Sequence, residues 1–510
     1  MSSGPLRRRQ LRRLAPAVLA GALLLAGCTS GPTPSAAAGA GAAGAIRWTD
    51  CGGGLQCGEL RVPLDWSRPG GDTLELALIR QPAADPAHRV GSLVVNPGGP
   101  GESGVAMVRD DGALFTGPLH DHYDIVGFDP RGTGASSPIH CLTDRQRDAQ
   151  DQQDDPADPN ARAARQAQKA EQYAAACEKA AGKLLPFVGT RSTARDMDAL
   201  RQALGQPKLD YLGVSYGTYL GALYAEQFPQ NTGRLVLDGA VDPAADRLQT
   251  SVSQQIGFEK SLEAFAADCA TRHADQCPLG TDPAAAGERA AEFLDGLRDH
   301  PLATGDPDHR KLTSTLGWTG TLLFLYGDQN TAWPQLRSAL AAAMQRGDGS
   351  ELLAAADGYN GRLNGHYTAS DDAQTAISCA DSPAVAPDPQ QVQQALTALK
   401  TQAPLLNRDT TAQDLALPGC ADWPYRTTER PHTVRAEGSA PILVVGSTDD
   451  PATPYQQAVN LAAGLADGVL LTRQGQGHAA FGSGNACTTA AIDAYLVSGT
   501  LPAEGTSCPA

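Results

Sequence analysis

A serine at a predicted strand-to-helix turn is the residue best suited to nucleophilic chemistry in this 510-residue chain. The apolar run Leu209–Val214 ends at Ser215, and apolar residues at helical spacing follow directly. The junction Gly213–Gly217 reads Gly-x-Ser-x-Gly, with glycines where a side chain would clash in a tight turn. Such a turn exposes the serine hydroxyl and leaves the next backbone N–H at a helix N-terminus, where the dipole favours negative charge. The pattern predicts a serine that carries out acyl transfer.

A serine nucleophile needs a base, and the base needs an orienting acid. Of the ten histidines, His478 lies in a glycine-rich loop directly after a predicted terminal strand, whereas the others lie in polar loops, in a helical insertion or near turns. Asp449 and Asp450 both follow a strand that lies between the serine and this histidine. A simple turn before a proline would account for either aspartate. The chain order serine, aspartate, histidine is that of the α/β-hydrolases.

A second glycine-rich loop, Pro97–Gly104, follows the predicted strand Ser92–Asn96. Loops of this kind either bind phosphate or present a backbone N–H group to an oxyanion. The spacing is not G-x-G-x-x-G and no Walker lysine follows, so the sequence disfavours a nucleotide. Stabilisation of an oxyanion is the use that fits a serine nucleophile.

Predicted strands alternate with predicted helices, which indicates an α/β fold with a mostly parallel central sheet and helices on both faces. We assign residues 46–243 and 431–510 to two parts of one α/β-hydrolase core, and residues 244–430 to an inserted, largely helical cap. The predicted strands are Leu60–Trp66, Thr73–Arg80, Ser92–Asn96, Tyr123–Phe128, Leu209–Val214, Leu235–Asp238, Pro441–Gly446 and Val469–Leu471. The predicted helices are Thr193–Leu204, Ile256–Ala267, Ala286–Leu297, Leu336–Met344 and Ala490–Val497.

Residues 1–27 have the pattern of an export signal. Five arginines precede the apolar run Leu14–Leu25, which is too short to span a bilayer. The following Leu-Ala-Gly-Cys resembles the bacterial lipobox, which implies cleavage before Cys28 and diacylation of that cysteine. An ordinary signal peptide with an incidental cysteine is the alternative, and the protein would then be secreted. Residues 28–45 are rich in Gly, Ala, Pro and Ser and predict a flexible tether on the outer face of the cell membrane.

The ten other cysteines form an even set, which in an exported chain indicates disulfides. No CxxC and no Cys/His cluster has the spacing of zinc ligands, so no metal is expected. The net charge is −16, and −21 beyond residue 27, which argues against nucleic acid as a partner because no basic stripe is available for phosphates. Proximity in sequence favours the pairs Cys51/Cys57, Cys141/Cys177, Cys269/Cys277, Cys379/Cys420 and Cys487/Cys508.

Five short motifs occur together and in a fixed order. They are Asn96–Gly101 (NPGGPG), Asp129–Gly134 (DPRGTG), Gly213–Thr218 (GVSYGT), Leu237–Gly239 (LDG) and Asp450–Pro454 (DPATP). From about Ile46 onwards the chain resembles the tripeptidyl-aminopeptidase branch of the proline-iminopeptidase-like peptidases, α/β-hydrolases of actinobacterial envelopes. The resemblance implies Ser215 as nucleophile, Asp450 rather than its neighbour as acid, and His478 as base. Several members of the family are lipoproteins, which agrees with Cys28.

The resemblance also implies an acyl-enzyme mechanism without a metal or organic cofactor. The backbone N–H groups of Gly99 and Tyr216 are expected to form the oxyanion hole. An exopeptidase needs an acid for the substrate's α-ammonium group. Asp381, in a cysteine-x-acid stretch like that of related sequences, is the first candidate, and Glu102, where relatives often have glycine, is the second. A solvated surface acid is the alternative for both, and Pro97 replaces the histidine found in iminopeptidases.

Three functions are compatible with the sequence. The favoured one is a membrane-tethered or secreted serine exopeptidase that releases short peptides, with tripeptides expected, from free N-termini. A cell-envelope carboxylesterase or lipase would use the same serine and oxyanion machinery, so the fold alone does not separate the two. An inactive envelope binding protein would need the triad to be absent. An acid near the acyl pocket would favour the peptidase, and a wide apolar groove would favour the esterase.

Overall fold

A computed structural model describes residues 45–416 and 420–510. The predicted export signal, Cys28 and the tether up to residue 44 lie outside the described residues. Within the described ranges, none of the helices combines the length and the apolar character that crossing a bilayer requires.

Both predicted parts of the core contribute strands to one large sheet. The strands are β1 (Thr49–Gly52), β2 (Leu55–Pro63), β3 (Thr73–Gln81), β4 (Gly91–Asn96), β5 (Tyr123–Phe128), β6 (Leu209–Val214), β7 (Thr232–Asp238), β8 (Arg362–Leu363), β9 (His366–Tyr367), β10 (Ile442–Asp449), β11 (Gly468–Gln476) and β12 (Ser507–Cys508). Ten of these form the sheet in the order β1-β2-β3-β5-β4-β6-β7-β10-β11-β12, and β8 and β9 form a separate hairpin.

The sheet is mostly parallel, as the sequence predicts. Every pairing from β5 to β12 is parallel, and β1, β2 and β3 join antiparallel at one end. The carboxyl ends of β4, β6, β7 and β10 therefore meet at one edge of the sheet, where the loops of parallel sheets bind ligands. The predicted strand Leu60–Trp66 ends at Pro63 in the structure, because the Asp65 carboxylate accepts hydrogen bonds from Ser67 and Arg68 and closes a turn.

The described residues form sixteen α-helices, and several of those in the core cover the two faces of the sheet. The helices are α1 (Gly104–Asp110), α2 (Pro118–His122), α3 (Asp144–Asp151), α4 (Pro159–Ala181), α5 (Thr190–Ala203), α6 (Tyr216–Gln227), α7 (Arg247–Arg272), α8 (Pro283–Gly296), α9 (Ser314–Leu325), α10 (Trp333–Arg346), α11 (Ser350–Tyr359), α12 (Ser370–Ala380), α13 (Pro389–Gln402), α14 (Ala412–Ala416), α15 (Gln456–Gly464) and α16 (Ala486–Ser498).

The central strands are buried on both sides, which explains their continuous apolar runs. Because successive residues of a strand face opposite sides, Val94 of β4 packs into the layer of α5, α6 and α15. Its neighbours Leu93 and Val95 pack into the opposite layer with α1 and α16. Burying one such side chain contributes roughly 1.5–3 kcal/mol, so the alternation fixes which face of each strand meets which helices.

Helices α7–α14 and the β8–β9 hairpin all fall within residues 244–430, the stretch predicted as the cap. This stretch enters the chain between β7 and β10, which are neighbours in the sheet. The cap has its own apolar cluster, and that cluster includes Ala452 from the loop after β10. Gln254 of α7 also donates a hydrogen bond to the Ala452 carbonyl at 3.1 Å. The cap therefore packs directly on the loop that carries Asp450.

Five disulfides join cysteines that are close in sequence, as predicted. Closing loops of this kind stabilises a fold by about 2–4 kcal/mol each in the chain-entropy picture. The pairs are Cys51–Cys57, Cys141–Cys177, Cys269–Cys277, Cys379–Cys420 and Cys487–Cys508.

The arginine of the DPRGTG motif is a structural residue, and its loss should be costly. Arg131 is fully buried, pairs with the fully buried Asp196 through Nε at 2.7 Å and Nη2 at 2.6 Å, and donates to three backbone carbonyl groups. Arg131→Ala would leave that carboxylate buried without its partner, so we expect a loss of about 3–5 kcal/mol in urea unfolding. Arg61→Ala, which breaks the exposed pair with Glu75, is the control and should change stability little. Equal effects of the two substitutions would contradict this role.

Candidate active site

Ser215 lies on the sharp turn between β6 and α6. Its φ of +57° and ψ of −126° form a conformation that non-glycine residues rarely adopt. The turn is fixed because the Ser215 N–H donates to the Asp238 carbonyl at 2.9 Å and the Thr218 hydroxyl donates to the Ser215 carbonyl at 2.6 Å. The serine side chain is half-buried and does not cap the helix. The turn thus exposes a hydroxyl group that does not hold the helix in place.

His478 and Asp450 lie against each other in the loops that follow β11 and β10. The Nδ1 atom of His478 is 2.9 Å from Asp450 Oδ1 and 3.0 Å from Oδ2, and the aspartate is buried. The Thr453 hydroxyl lies 3.3 Å from the same nitrogen. An imidazole that donates Nδ1–H to this carboxylate keeps Nε2 free as a proton acceptor, which is the arrangement of a general base.

The Asp450 carboxylate is held by several donors besides the histidine. Its Oδ1 accepts from the N–H groups of Ala452 and Thr453, and its Oδ2 accepts from the Ala479 N–H and the Thr453 hydroxyl. Asp449, the alternative acid from the sequence, is exposed and accepts a hydrogen bond from Thr448. The geometry therefore brings Asp450, and not its neighbour, to the imidazole.

The surroundings of His478 favour its protonated form. Burial lowers the pKa of His478, but the charge of Asp450, its hydrogen bond and the charge of Asp238 raise it, and the pKa ends above its ordinary value. The His478 N–H donates to the Tyr326 carbonyl at 2.8 Å, and the tyrosine ring meets the imidazole edge-on at a centroid distance of 5.5 Å. Tyr326, a cap residue that the sequence did not single out, thus forms one wall of the site.

The end of β7 contacts both Ser215 and His478. Asp238 binds the Ser215 N–H, and a Cβ atom on the next residue, Gly239, would lie 3.1 Å from His478 Cε1. Gly239 also has a φ of +64°, so a side chain is disfavoured there on two grounds. Among the hydrogen bonds of the described residues, none joins the Ser215 hydroxyl to the imidazole. In enzymes without substrate this contact is often long and tightens only in the complex.

The loop after β4 passes close to the serine turn. A Cβ atom on Gly98, whose φ is +103°, would lie 2.5 Å from the Val214 carbonyl oxygen and 3.0 Å from the Tyr216 nitrogen, so only glycine fits. The backbone N–H groups of Gly99 and Tyr216 donate no hydrogen bond within the described part of the chain. Two neighbouring N–H groups without acceptors, beside the serine, are able to bind an oxyanion.

Glu102 lies at the end of this loop as an exposed side chain. Within the described ranges its carboxylate has no hydrogen-bond or ion-pair partner. Desolvation and the charge of Asp371 raise its pKa above the ordinary value. The Gln374 amide, from the same cap helix as Asp371, donates to the Gly99 carbonyl at 3.4 Å. The cap thus adds a second acid beside the glycine loop.

A cavity of about 430 Å³ opens on this side of the site. Its lining includes Asp371, Gln374, Arg147 and Tyr359. The Tyr359 ring lies 6.1 Å from the ring of Tyr326, which in turn contacts His478. The cavity therefore lies beside Gln374, the cap residue that donates to the glycine loop, and polar and apolar atoms contribute about equally to its surface.

Asp381 lies at the end of α12 and is bound to Thr190. Its Oδ1 accepts from the Thr190 N–H at 2.9 Å, and its Oδ2 accepts from the Thr190 hydroxyl, which also contacts the Tyr216 hydroxyl. Burial raises the pKa of Asp381 to about 6, although the bonds from Thr190 lower it. Both carboxylate oxygens of Asp381 are thus bound to Thr190, whose hydroxyl contacts Tyr216. An ammonium group would have to share these oxygens with Thr190.

The described residues contain no group of three or more His, Cys, Asp or Glu side chains arranged to hold a metal ion. Sequence reasoning also passed over two residues that contact the acid–base pair. Thr453 lies in the DPATP motif, of which only Asp450 was given a role, and Asp238 lies in the LDG motif, which was given none.

Comparison with known proteins decides the family. Serine protease Hip1 of Mycobacterium tuberculosis is 39% identical over 483 residues, which cover 91% of this chain and 91% of that protein. The chain belongs to the tripeptidyl-aminopeptidase-like α/β-hydrolases. The tripeptidyl aminopeptidase of Streptomyces lividans is 32% identical over 91% of this chain and 86% of its own length. Carboxylesterase B of M. tuberculosis is 38% identical over 89% of this chain and 86% of its own.

A family model described as "TAP-like protein" matches residues 403–508, the part that contains Asp450 and His478. Among solved structures, the proline iminopeptidase of Mycobacterium smegmatis aligns over 86% of this chain and 97% of its own, with 16% identity and a TM-score of 0.34. This tripeptidyl-aminopeptidase-like chain is a serine hydrolase, and its relatives include a serine protease, a tripeptidyl aminopeptidase and a carboxylesterase.

The raised pKa of His478 predicts a shifted pH profile. A general base acts only when it is neutral, so kcat/KM should rise with pH through a midpoint above 6.5, the ordinary pKa of histidine. The profile is measured with an uncharged ester, so that the substrate does not titrate. A midpoint below 6.5 would contradict the influence of Asp450 and Asp238 on the imidazole.

Proposed function

We propose that this chain is an envelope exopeptidase that releases short peptides, tripeptides above all, from free N-termini through an acyl-enzyme on Ser215. The observation that carries the proposal is the contact of His478 with Asp450 beside the serine turn, in a chain whose relatives include a serine protease and a tripeptidyl aminopeptidase.

In this mechanism His478 Nε2 takes the proton of Ser215 as its oxygen attacks the scissile carbonyl. Asp450 holds the imidazole in the correct tautomer and stabilises the imidazolium that forms. The N–H groups of Gly99 and Tyr216 bind the oxyanion, and each donor of this type is typically worth about 3 kcal/mol of barrier. His478 then protonates the leaving amine, and a water that it activates hydrolyses the ester of Ser215.

Recognition of a free N-terminus rests in this proposal on Glu102, because the neighbouring Asp371 is already paired with Arg147. Glu102 is exposed next to the glycine loop and its carboxylate has no partner among the described residues, so it is available to an ammonium group. Asp381, the other candidate from the sequence, has both oxygens on Thr190 and is the weaker choice.

A carboxylesterase is the second candidate, because Carboxylesterase B is nearly as similar as the serine protease. Ester and amide hydrolysis share the serine, the base and the oxyanion donors. The two candidates differ in what occupies the acyl side of the site. A peptidase needs an acid for the ammonium group there, whereas an esterase for apolar acyl groups needs an apolar groove.

The deciding experiment compares chromogenic amides of one, two and three residues with short acyl esters. We expect the tripeptidyl amide to have the highest kcat/KM. Ser215→Ala protein from the same preparation gives the blank for each substrate. Turnover of esters alone would overturn the peptidase and support the carboxylesterase, and a preference for single-residue amides would overturn the tripeptide specificity.

We further propose that the protein acts outside the cytoplasm, anchored through a lipid on Cys28. Five disulfides in the described residues support an oxidising location. Labelling of cells with a radioactive fatty acid tests the anchor. Label in the wild type that is absent from Cys28→Ser is expected, and an unlabelled wild type would overturn the anchor.

A further inference from the structure

The LDG motif has no part in the proposed mechanism, yet its aspartate lies at the centre of the site. Asp238 is the last residue of β7 and is fully buried. Its backbone carbonyl accepts from the Ser215 N–H at 2.9 Å, so the residue is one partner of the serine turn. The following Gly239 N–H donates to the Val445 carbonyl of β10.

The Asp238 carboxylate binds the loop that carries the histidine. It accepts from the Ala480 N–H at 3.0 and 2.9 Å and from the Phe481 N–H at 2.6 Å, two and three residues after His478. No cation pairs with it in the described part of the chain. The same loop is held from its other side by Arg473, whose Nη1 donates to the Gln476 carbonyl at 2.9 Å.

Burying a carboxylate that has no cation beside it costs considerable free energy, even where two N–H groups donate to it. Burial raises the pKa of Asp238 to about 6, the two N–H groups and His478 lower it, and Asp450 raises it. Because the folded pKa lies above the ordinary value of 3.8, the contribution of Asp238 to folding stability falls as pH rises from about 4 to 6. The charge therefore costs stability at neutral pH, and what it binds is the loop that carries His478.

We propose that Asp238 is a positioning residue of the base: its carboxylate ties the His478 loop to the strand that fixes Ser215, and its charge stabilises the imidazolium. The inference rests on the proposed triad and not on the nature of the substrate. The Asp450 carboxylate and the Tyr326 ring contact the imidazole, and the Asp238 carboxylate lies near it on the N–H groups two and three residues further along the same loop. Asp238 is thus the second negative charge at the histidine.

Two substitutions separate the effect of the hydrogen bonds of Asp238, which tie the His478 loop to β7, from the effect of its charge. Oδ2 accepts from both N–H groups, so the amide oxygen of Asp238→Asn replaces it and keeps both bonds without the charge, while the second contact of Ala480, with Oδ1, is lost. Asp238→Ala loses the bonds and the charge. Asp210→Asn is the matched control, because Asp210 is an acid of raised pKa at the opposite end of β6 from the serine.

The readout is the pH dependence of labelling by a fluorophosphonate, which reports the reactivity of Ser215 without any assigned substrate. For Asp238→Asn we expect the acid limb to move down by roughly half to one pH unit, because the imidazolium loses a nearby negative charge. For Asp238→Ala we expect the labelling rate at the optimum to fall about 10–100-fold, because the base is misplaced. Asp210→Asn should match the wild type in both respects.

Thermal unfolding at pH 8 completes the test, and Asp238→Asn should unfold no lower than the wild type. An unchanged acid limb in Asp238→Asn would overturn the role of the charge. Loss of labelling in parallel with loss of thermal stability in both variants would mean a merely structural residue and would also overturn the proposal. A wild type that is not labelled at all would instead overturn the triad of the proposed function.

Discussion

Ser215→Ala is expected to lower kcat by about 10⁵-fold or more on amides and on esters alike, because both reactions use the same hydroxyl. Loss of the nucleophile removes the acyl-enzyme and leaves only the oxyanion donors and substrate binding. The fold should be preserved, since the hydroxyl does not cap α6 and makes no hydrogen bond within the described ranges. Stopped assays and thermal unfolding of the purified variant measure both effects.

Ser137→Ala is the matched control for this substitution. Ser137 is exposed and has a φ of +58°, so it tests the cost of replacing serine by alanine at another position of positive φ. We expect full activity and a similarly small change in stability. Residual turnover of wild-type magnitude in Ser215→Ala would show that another residue is the nucleophile.

Asp450→Asn is expected to lower kcat about 10⁴-fold, the scale seen when an amide replaces the acid of a serine triad. Neither orientation of the amide group would preserve all the hydrogen bonds that the carboxylate accepts. Its NH₂ group would face either the N–H groups of Ala452 and Thr453 or the N–H group of Ala479 and the Thr453 hydroxyl. The imidazole tautomer would then no longer be fixed with Nε2 free.

Asp449→Asn separates this effect from a general change of charge. Asp449 is the adjacent aspartate, is exposed and does not contact His478. Its substitution should leave kcat and KM within about twofold of the wild type. Equal losses in the two variants would contradict the assignment of the acid to Asp450 by geometry.

The strands of the core were predictable from the sequence because they are buried on both faces. The bounds of β5 and β6 agree residue for residue with the apolar runs. Helix α7 begins nine residues before its predicted start at Ile256, because the early residues are polar and the helix is fixed by a capping box at Asp246. Strand β11 continues past its apolar run to Gln476, because it is paired with β10 by main-chain hydrogen bonds that leave no apolar signature.

Only those parts of the site that lie in recognisable motifs could be predicted from the sequence. The serine turn and the glycine loop each follow a recognisable strand, whereas position after a strand left Asp449 and Asp450 open, and the DPATP motif favoured Asp450. The bonds of Asp381 to Thr190 could not be foreseen, because they join residues 191 positions apart. The same holds for Tyr326, which the cap brings to His478 from a stretch without a local motif.

Acetylation of the substrate's N-terminus tests the central claim, hydrolysis counted from a free amine, most directly. The measurement is kcat/KM for one tripeptidyl chromogenic amide with a free and with an acetylated N-terminus. Because a hydrogen bond to a charged group is worth about 1.5–3 kcal/mol, we predict that acetylation lowers kcat/KM by roughly 10–100-fold. Equal or faster turnover of the acetylated amide would contradict the exopeptidase.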